Sequence, residues 1–193
     1  MWIAWCALHS FLISSRWTSA MRTVLGKGYA FYRFGYTIAS IGTLLPILYY
    51  TRSIDTLPIA SWSGMWNTLR GVLLALAAIV LALGAVQYDQ PYFFGIRQIR
   101  DFLKGQSAAG PEFTGGGILR VVRHPYYTAG MIFVLFYPDL SVASIVTQCI
   151  LLIYFIFGAR LEEKKLVKEF GERYITYQRE TGMFLPKLKG TTK

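Results

Sequence analysis

Five apolar runs constrain this chain more than any other feature: Trp2 to Ile13, Phe34 to Tyr50, Gly71 to Val86, Tyr126 to Tyr137, and Val142 to Ala159. Each approaches the roughly 20 residues with which a helix crosses a bilayer. Only 16% of the residues are charged and 54% are hydrophobic, against about 25% charged in an ordinary soluble domain. The runs therefore predict an all-α integral membrane bundle of about five transmembrane helices. It forms a single domain over residues 1–193, with three amino-terminal helices in 1–86, a cytoplasmic loop over 87–125, and a helical hairpin and tail in 126–193. The first and fourth runs are short, since twelve helical residues cover about 18 Å of a core about 30 Å thick. Pro138 and Asp139 divide the last two runs and imply a tight hairpin. Met1 to Ser15 has neither a basic start nor a small-residue cleavage site, so it reads as a retained helix and not as a signal peptide.

Charge sets the orientation. Twenty Lys and Arg stand against ten Asp and Glu. The basic residues are plentiful after the first, third and fifth runs and sparse after the second and fourth. That alternation follows the positive-inside rule with the amino terminus outside and the third loop and tail in the cytoplasm. It assigns the excess charge to the membrane surface, and nucleic acid is not expected as a partner. Cys6 and Cys149 both fall in apolar runs and, with two histidines, give no disulfide framework or metal site. In the tail, Leu166, Phe170, Tyr174 and Tyr177 are spaced for one apolar helix face, which predicts an interfacial amphipathic helix continuing from the fifth. Ser107 to Gly117 reads as a flexible stretch.

Two groups of residues could carry chemistry. Arg123-His124-Pro125-Tyr126-Tyr127 stands where the third loop enters the fourth helix, and proline fits the first helical turn. Its free N–H groups favour an anion; alternatively Arg123 snorkels to headgroups and His124 caps the helix. Glu162 and Glu163 end the fifth helix on the same side. Adjacent helical residues point about 100° apart, so one carboxylate at most faces inward easily. The plainer reading is a solvated terminus or an Arg123–Glu ion pair. For His124 to meet these acids, either the fourth helix begins near Val121 or the fifth runs past the membrane edge. Elsewhere, Phe94-Gly95-Ile96-Arg97-Gln98 suits either a site or an interfacial anchor, and His9-Ser10 suits either a site or an interhelical hydrogen bond. No G-x-G-x-x-G after a strand and no P-loop is present, which excludes a Rossmann-type nucleotide site.

The order R-H-P-x-Y, apolar hairpin, Glu162-Glu163-x-x-Leu166-x-x-x-Phe170-Gly171-x-x-Tyr174-x-x-Tyr177 and Pro186 resembles the isoprenylcysteine carboxyl methyltransferase family over residues 113 to 190. Phe94 to Gln98 and His9-Ser10 look like stretches of a bacterial branch that includes methanethiol S-methyltransferases and NnrU-type proteins. The resemblance implies a membrane methyltransferase, in the bacterial inner (cytoplasmic) membrane, that uses S-adenosylmethionine as cofactor. It implies catalytic roles for His124, Glu163 and Arg123, and cofactor contacts from His124, Tyr127, Ala129, Gly130, Glu162, Glu163, Tyr174 and Tyr177. Arg97, Gln98 and His9 would bind a small thiol or lipophilic acceptor arriving from the bilayer; no metal and no obligate protein partner is implied. Ala129 departs from the family's usual glycine, with Gly130 one place later. Sterol-reductase-like enzymes with NADPH share an R-H-P-x-Y segment and form one alternative. A non-enzymatic membrane accessory protein, its charges serving as anchors, is the other.

Overall fold

A computed structural model describes residues 1–54, 58–106, 110 and 113–187. The described residues form helices α1 (Trp2–Leu12), α2 (Ser15–Leu25), α3 (Tyr32–Ser53), α4 (Gly64–Gln87), α5 (Gln90–Phe93), α6 (Ile96–Leu103), α7 (Pro125–Phe136), α8 (Val142–Phe170) and α9 (Glu172–Glu180). Two 3-10 turns, Gly26–Phe31 and Gly117–Arg120, join them. Among the described residues no strand forms beyond two isolated bridges. The five apolar runs thus fold as α1, α3, α4, α7 and α8. Residues 107–109 and 111–112 of the expected flexible stretch lie outside the described residues.

Among the described residues, only α4 and α8 are both long and apolar enough to cross a membrane. Just 11% of the apolar window of α4 and 17% of that of α8 is buried inside the protein. A soluble protein's core helix would be covered by its neighbours, and the exposed apolar faces of α4 and α8 suit a membrane protein instead. α3 has 22 residues, about 33 Å of helix, but it is less apolar. α1 and α7 have 11 and 12 residues, so each reaches only about 17–18 Å. The 29 residues of α8 extend about 43 Å, so its charged end beyond Ala159 projects past the core.

The chain divides into two compact units, one formed by Met1–Asp55 with Asp89–Glu112 and the other by Thr56–Tyr88 with Phe113–Lys193. α4 therefore groups with the carboxyl-terminal hairpin, and the segment after it with the amino-terminal helices.

In the first unit α1 packs on α3, joined by hydrogen bonds from Trp2 Nε1 to Thr51 Oγ1 at 3.0 Å and from Trp5 Nε1 to Thr43 Oγ1 at 3.1 Å. α2, where no apolar run is expected, is amphipathic and is capped by Ser14, whose hydroxyl accepts from the Trp17 N–H. The stretch expected as loop at Arg97 and Gln98 is helical, within α6.

In the second unit α7 packs between α4 and α8, with glycine at each close crossing. A Cβ at Gly84 would lie 3.1 Å from Pro125, one at Gly130 3.2 Å from Phe155, and one at Gly158 3.3 Å from the Tyr127 hydroxyl. The hairpin turn is fixed by a reciprocal capping box of Ser141 and Ser144. Before α4, Ala60 bridges to Leu140 and Trp62 donates to the Pro138 carbonyl at 3.0 Å, and Arg70 of α4 pairs with Asp139 at 3.7 Å.

The tail departs from the sequence expectation. α8 does not continue to Tyr177 but stops at Gly171, whose φ of 56° and ψ of −136° turn the chain before α9. Leu166 and Phe170 thus stand on α8, and Tyr174 and Tyr177 on α9. A side chain strongly disfavours this backbone conformation, so Gly171→Ala is expected to lower stability by about 1–3 kcal/mol. Equilibrium unfolding in detergent checks this, and an unchanged stability would show that the turn tolerates a Cβ.

Candidate functional site

α7 begins at Pro125 with His124 as its N-cap. The His124 meeting with the acids is made by the length of α8, not by an earlier start of α7. Within the second unit, Arg123 Nε donates to Glu163 Oε1 at 2.7 Å, and His124 Nε2 lies 3.2 Å from the same oxygen. Gln178 Nε2 donates to Glu163 Oε2 at 2.8 Å. Arg123 also donates to the Gln178 carbonyl at 3.0 Å and to the Thr181 carbonyl. The Arg123 and Glu163 side chains are 9% and 12% exposed and His124 is 3% exposed, so these groups satisfy one another largely out of water. The ion pair is the plainer sequence reading of the two acids, and it holds Arg123 as well.

The tail segment after α9 completes the enclosure. Its backbone runs beside residues 122–124, with Arg123 N–H donating to Gly182 O at 2.9 Å and His124 N–H to Met183 O at 3.1 Å. The Thr128 hydroxyl donates to Phe184 O at 3.0 Å. The turn at Gly182 is so tight that a Cβ there would lie 1.9 Å from the Leu185 carbonyl oxygen.

Glu162 takes a different direction. Its charge acts on the Tyr127 hydroxyl. Tyr88, which follows α4, also feels its charge and packs on Tyr126 with ring centroids 5.0 Å apart. Glu163 is thus held by Arg123 and the tail, and Glu162 acts on the tyrosines.

Among the other expected cofactor contacts, Ala129 is 4% exposed and Gly130 abuts Phe155, so both shape the α7–α8 packing. Tyr174, 2% exposed, and Tyr177 pack edge-on against Phe113. The remaining expected residues belong to the first unit. There Arg97 pairs with Asp89 and Asp101, Gln98 donates to the Tyr92 carbonyl at 3.0 Å, and His9 meets the Tyr36 hydroxyl. Sequence reasoning missed Gln178, Thr181, Gly182 and Tyr88. No periodicity marks the first three, because their role lies in pairing with a segment some 55 residues earlier.

Burial alone would raise the pKa of the Glu163 carboxyl, but the Arg123 hydrogen bond and charge, with Gln178 and His124, hold it below its ordinary value. Burial raises Tyr174, with Glu163 adding to the effect, and burial followed by the Glu162 charge raises Tyr88. The Tyr177 hydroxyl donates to the Leu119 carbonyl at 2.5 Å, and burial pushes its pKa up to about 12. A free tyrosine titrates near 10. The stability owed to this shift is therefore fully present below pH 10 and is lost as pH rises from about 10 to about 12. Ultraviolet titration of the protein and of Tyr177→Phe should differ by one phenol ionising near the upper value. A difference centred near pH 10 would contradict the burial.

A carboxylate ringed by tyrosines fits a cationic ligand, since carboxylates and aromatic faces both stabilise positive charge. The N–H groups of the first turn of α7, a few residues away, suit an anionic group. Both features match S-adenosylmethionine, which carries an ammonium, a sulfonium and a carboxylate.

Fold and cluster together define a small helical protein with membrane-length apolar helices, whose tail closes over a buried Arg, His and Glu. The chain belongs to the NnrU protein family, whose model matches residues 1–186. It is similar to the methanethiol S-methyltransferase of Pseudomonas sp. (strain GM41(2012)), with 29% identity over 82% of this chain and 61% of that protein. Its likeness to the protein of that name from Pseudomonas deceptionensis is 35% identity over 50% of this chain and 37% of the relative. For the one from Crocosphaera subtropica it is 28%, over 59% and 45%. The chain thus spans about three fifths or less of the length of these curated relatives. No solved structure matches it.

Proposed function

We propose that this protein is a methyltransferase of the bacterial cytoplasmic membrane that takes its methyl group from S-adenosylmethionine and gives it to a small thiol or lipophilic acceptor arriving from the bilayer. The observation that carries this reading is the convergence of Arg123-His124 with Glu162-Glu163, 40 residues apart at the ion pair, in a chain similar to methanethiol S-methyltransferases. The apolar faces of α4 and α8 support the membrane. The loop charges support five crossings, with the cluster on the cytoplasmic side.

When bound, S-adenosylmethionine supplies an electrophilic methyl group on a positively charged sulfur. Glu162 and Tyr127 are the groups placed to hold that positive charge, with Tyr88 and Tyr126 beside them. The first turn of α7 is placed to receive the cofactor's carboxylate. Arg123, Glu163 and Gln178 are positioning residues: each is occupied by the others and by the tail, so they fix α8 and α7 instead of touching ligand. His124, bound to Glu163, is the base available for a thiol proton once the tail gives way. A dry, fixed site then lowers the barrier by orienting donor and acceptor.

The test is transfer of labelled methyl groups by the purified full chain in detergent, with short thiols, lipidated cysteines and lipids as acceptors. Transfer to at least one of them is expected. Reduction of a double bond with NADPH, without methyl transfer, would replace the reading by that of a reductase, and the absence of both would leave an accessory protein.

A further inference from the structure

In the first unit α6 is inverted for a helix in water. Ile96, Ile99 and Leu103 recur at spacings of three and four, one apolar helix face, and the two ends of that face are open, Ile96 51% and Leu103 73% exposed. The opposite face holds the buried groups: Asp101 is 8% exposed and pairs with Arg97 and Arg100, and Gln98 donates to the Tyr92 carbonyl. A helix at a water-facing surface covers its apolar stripe and exposes its charges. α6 does the reverse, which suits a surface that meets lipid.

α2 extends the same surface. On its apolar side Trp17 and Met21 are half-buried, while Val24 and Leu25 are exposed. At 100° per residue Arg16 and Arg22 stand at the two edges of that side. The 3-10 turn Gly26–Phe31 packs on α2, α3 and α6, and its Phe31 meets Phe102 with ring centroids 5.6 Å apart. Gly95, just before α6, leaves no room for a Cβ against the Phe34 backbone. Both helices are thereby fixed at the amino-terminal end of α3.

Charge selects the occupant. Residues 1–54 include Arg16, Arg22, Lys27, Arg33 and Arg52 and no acid. Among the described residues, Arg16, Arg22, Lys27 and Lys104 have no ion-pair partner. An apolar strip bordered by unpaired cations is the pattern of a helix lying in the headgroup region of an anionic leaflet. We infer that α2 and α6 together form an anionic-lipid surface, with Val24, Leu25, Ile96 and Leu103 at the acyl boundary and the unpaired cations on lipid phosphates. This rests on the membrane reading and not on methyl transfer.

Hydrogen exchange of the full chain tests it, in nanodiscs of phosphatidylcholine with and without phosphatidylglycerol. Amides of residues 15–25 and 96–103 should exchange at least about fivefold more slowly in the anionic discs, and high salt should remove the difference. Arg22→Gln with Lys27→Gln and, separately, Lys104→Gln should each shrink it in proteins whose α8 exchanges as in the parent. The inference is overturned by equal exchange in the two lipids, or by a difference that survives both salt and whichever variant folds. Protection that follows protein concentration instead of lipid would assign the surface to a second copy and also overturn it. Lipid-dependent exchange in a protein that transfers no methyl groups keeps this surface and removes the methyltransferase reading. Methyl transfer with lipid-independent exchange does the opposite.

Discussion

Alanine in place of Arg123 is expected to lower stability by about 3–5 kcal/mol, the usual cost of removing one member of a buried ion pair. Three acceptors lose their donor together: Glu163 Oε1 and the carbonyls of Gln178 and Thr181. Glu163, 12% exposed, is left with Gln178 and His124 only. Arg123→Lys is expected to recover part of the loss, because one ammonium keeps the charge but cannot reach three acceptors in the guanidinium's fork. Equilibrium unfolding of the three proteins measures the effect. An Arg123→Ala protein as stable as the parent would mean that the pair is solvated and the tail is held by its backbone alone.

The largest effect on activity is expected at Glu162 and Tyr127. Glu162→Gln preserves shape and removes the charge; Tyr127→Phe removes the hydroxyl on which that charge acts. Each should reduce methyl transfer by about 100-fold or more, the scale seen when one preorganised electrostatic partner is lost. Melting temperature should stay close to that of the parent, because Glu162 is half-buried and takes no part in the Arg123 pair. Rate and melting temperature measured on the same preparations separate this from unfolding. Two folded variants with full activity would remove both residues from the site.

Much of this organisation was legible in the residues. Apolar runs located α1, α3, α4, α7 and α8 because burial, in protein or lipid, selects for length and apolarity. Pro138 and Asp139 marked the hairpin, and its antiparallel legs brought His124 to Glu163. The break at Gly171 escaped because the spacing of Leu166, Phe170, Tyr174 and Tyr177 continues through it; hydrophobic periodicity does not record a backbone turn. The amphipathic α2 escaped for the opposite reason, having no apolar run to reveal it. The tail's hold on residues 122–124 and 128 was invisible in principle, since it rests mainly on main-chain hydrogen bonds that any sequence could make.

A cofactor site at Glu162 and its tyrosines is tested by calorimetric titration of the purified chain with S-adenosylmethionine and with S-adenosylhomocysteine. Saturable binding of both is expected, weakened at least about tenfold by Glu162→Gln in a protein whose melting temperature is unchanged. No binding of either, or equal binding by the parent and the variant, would contradict it.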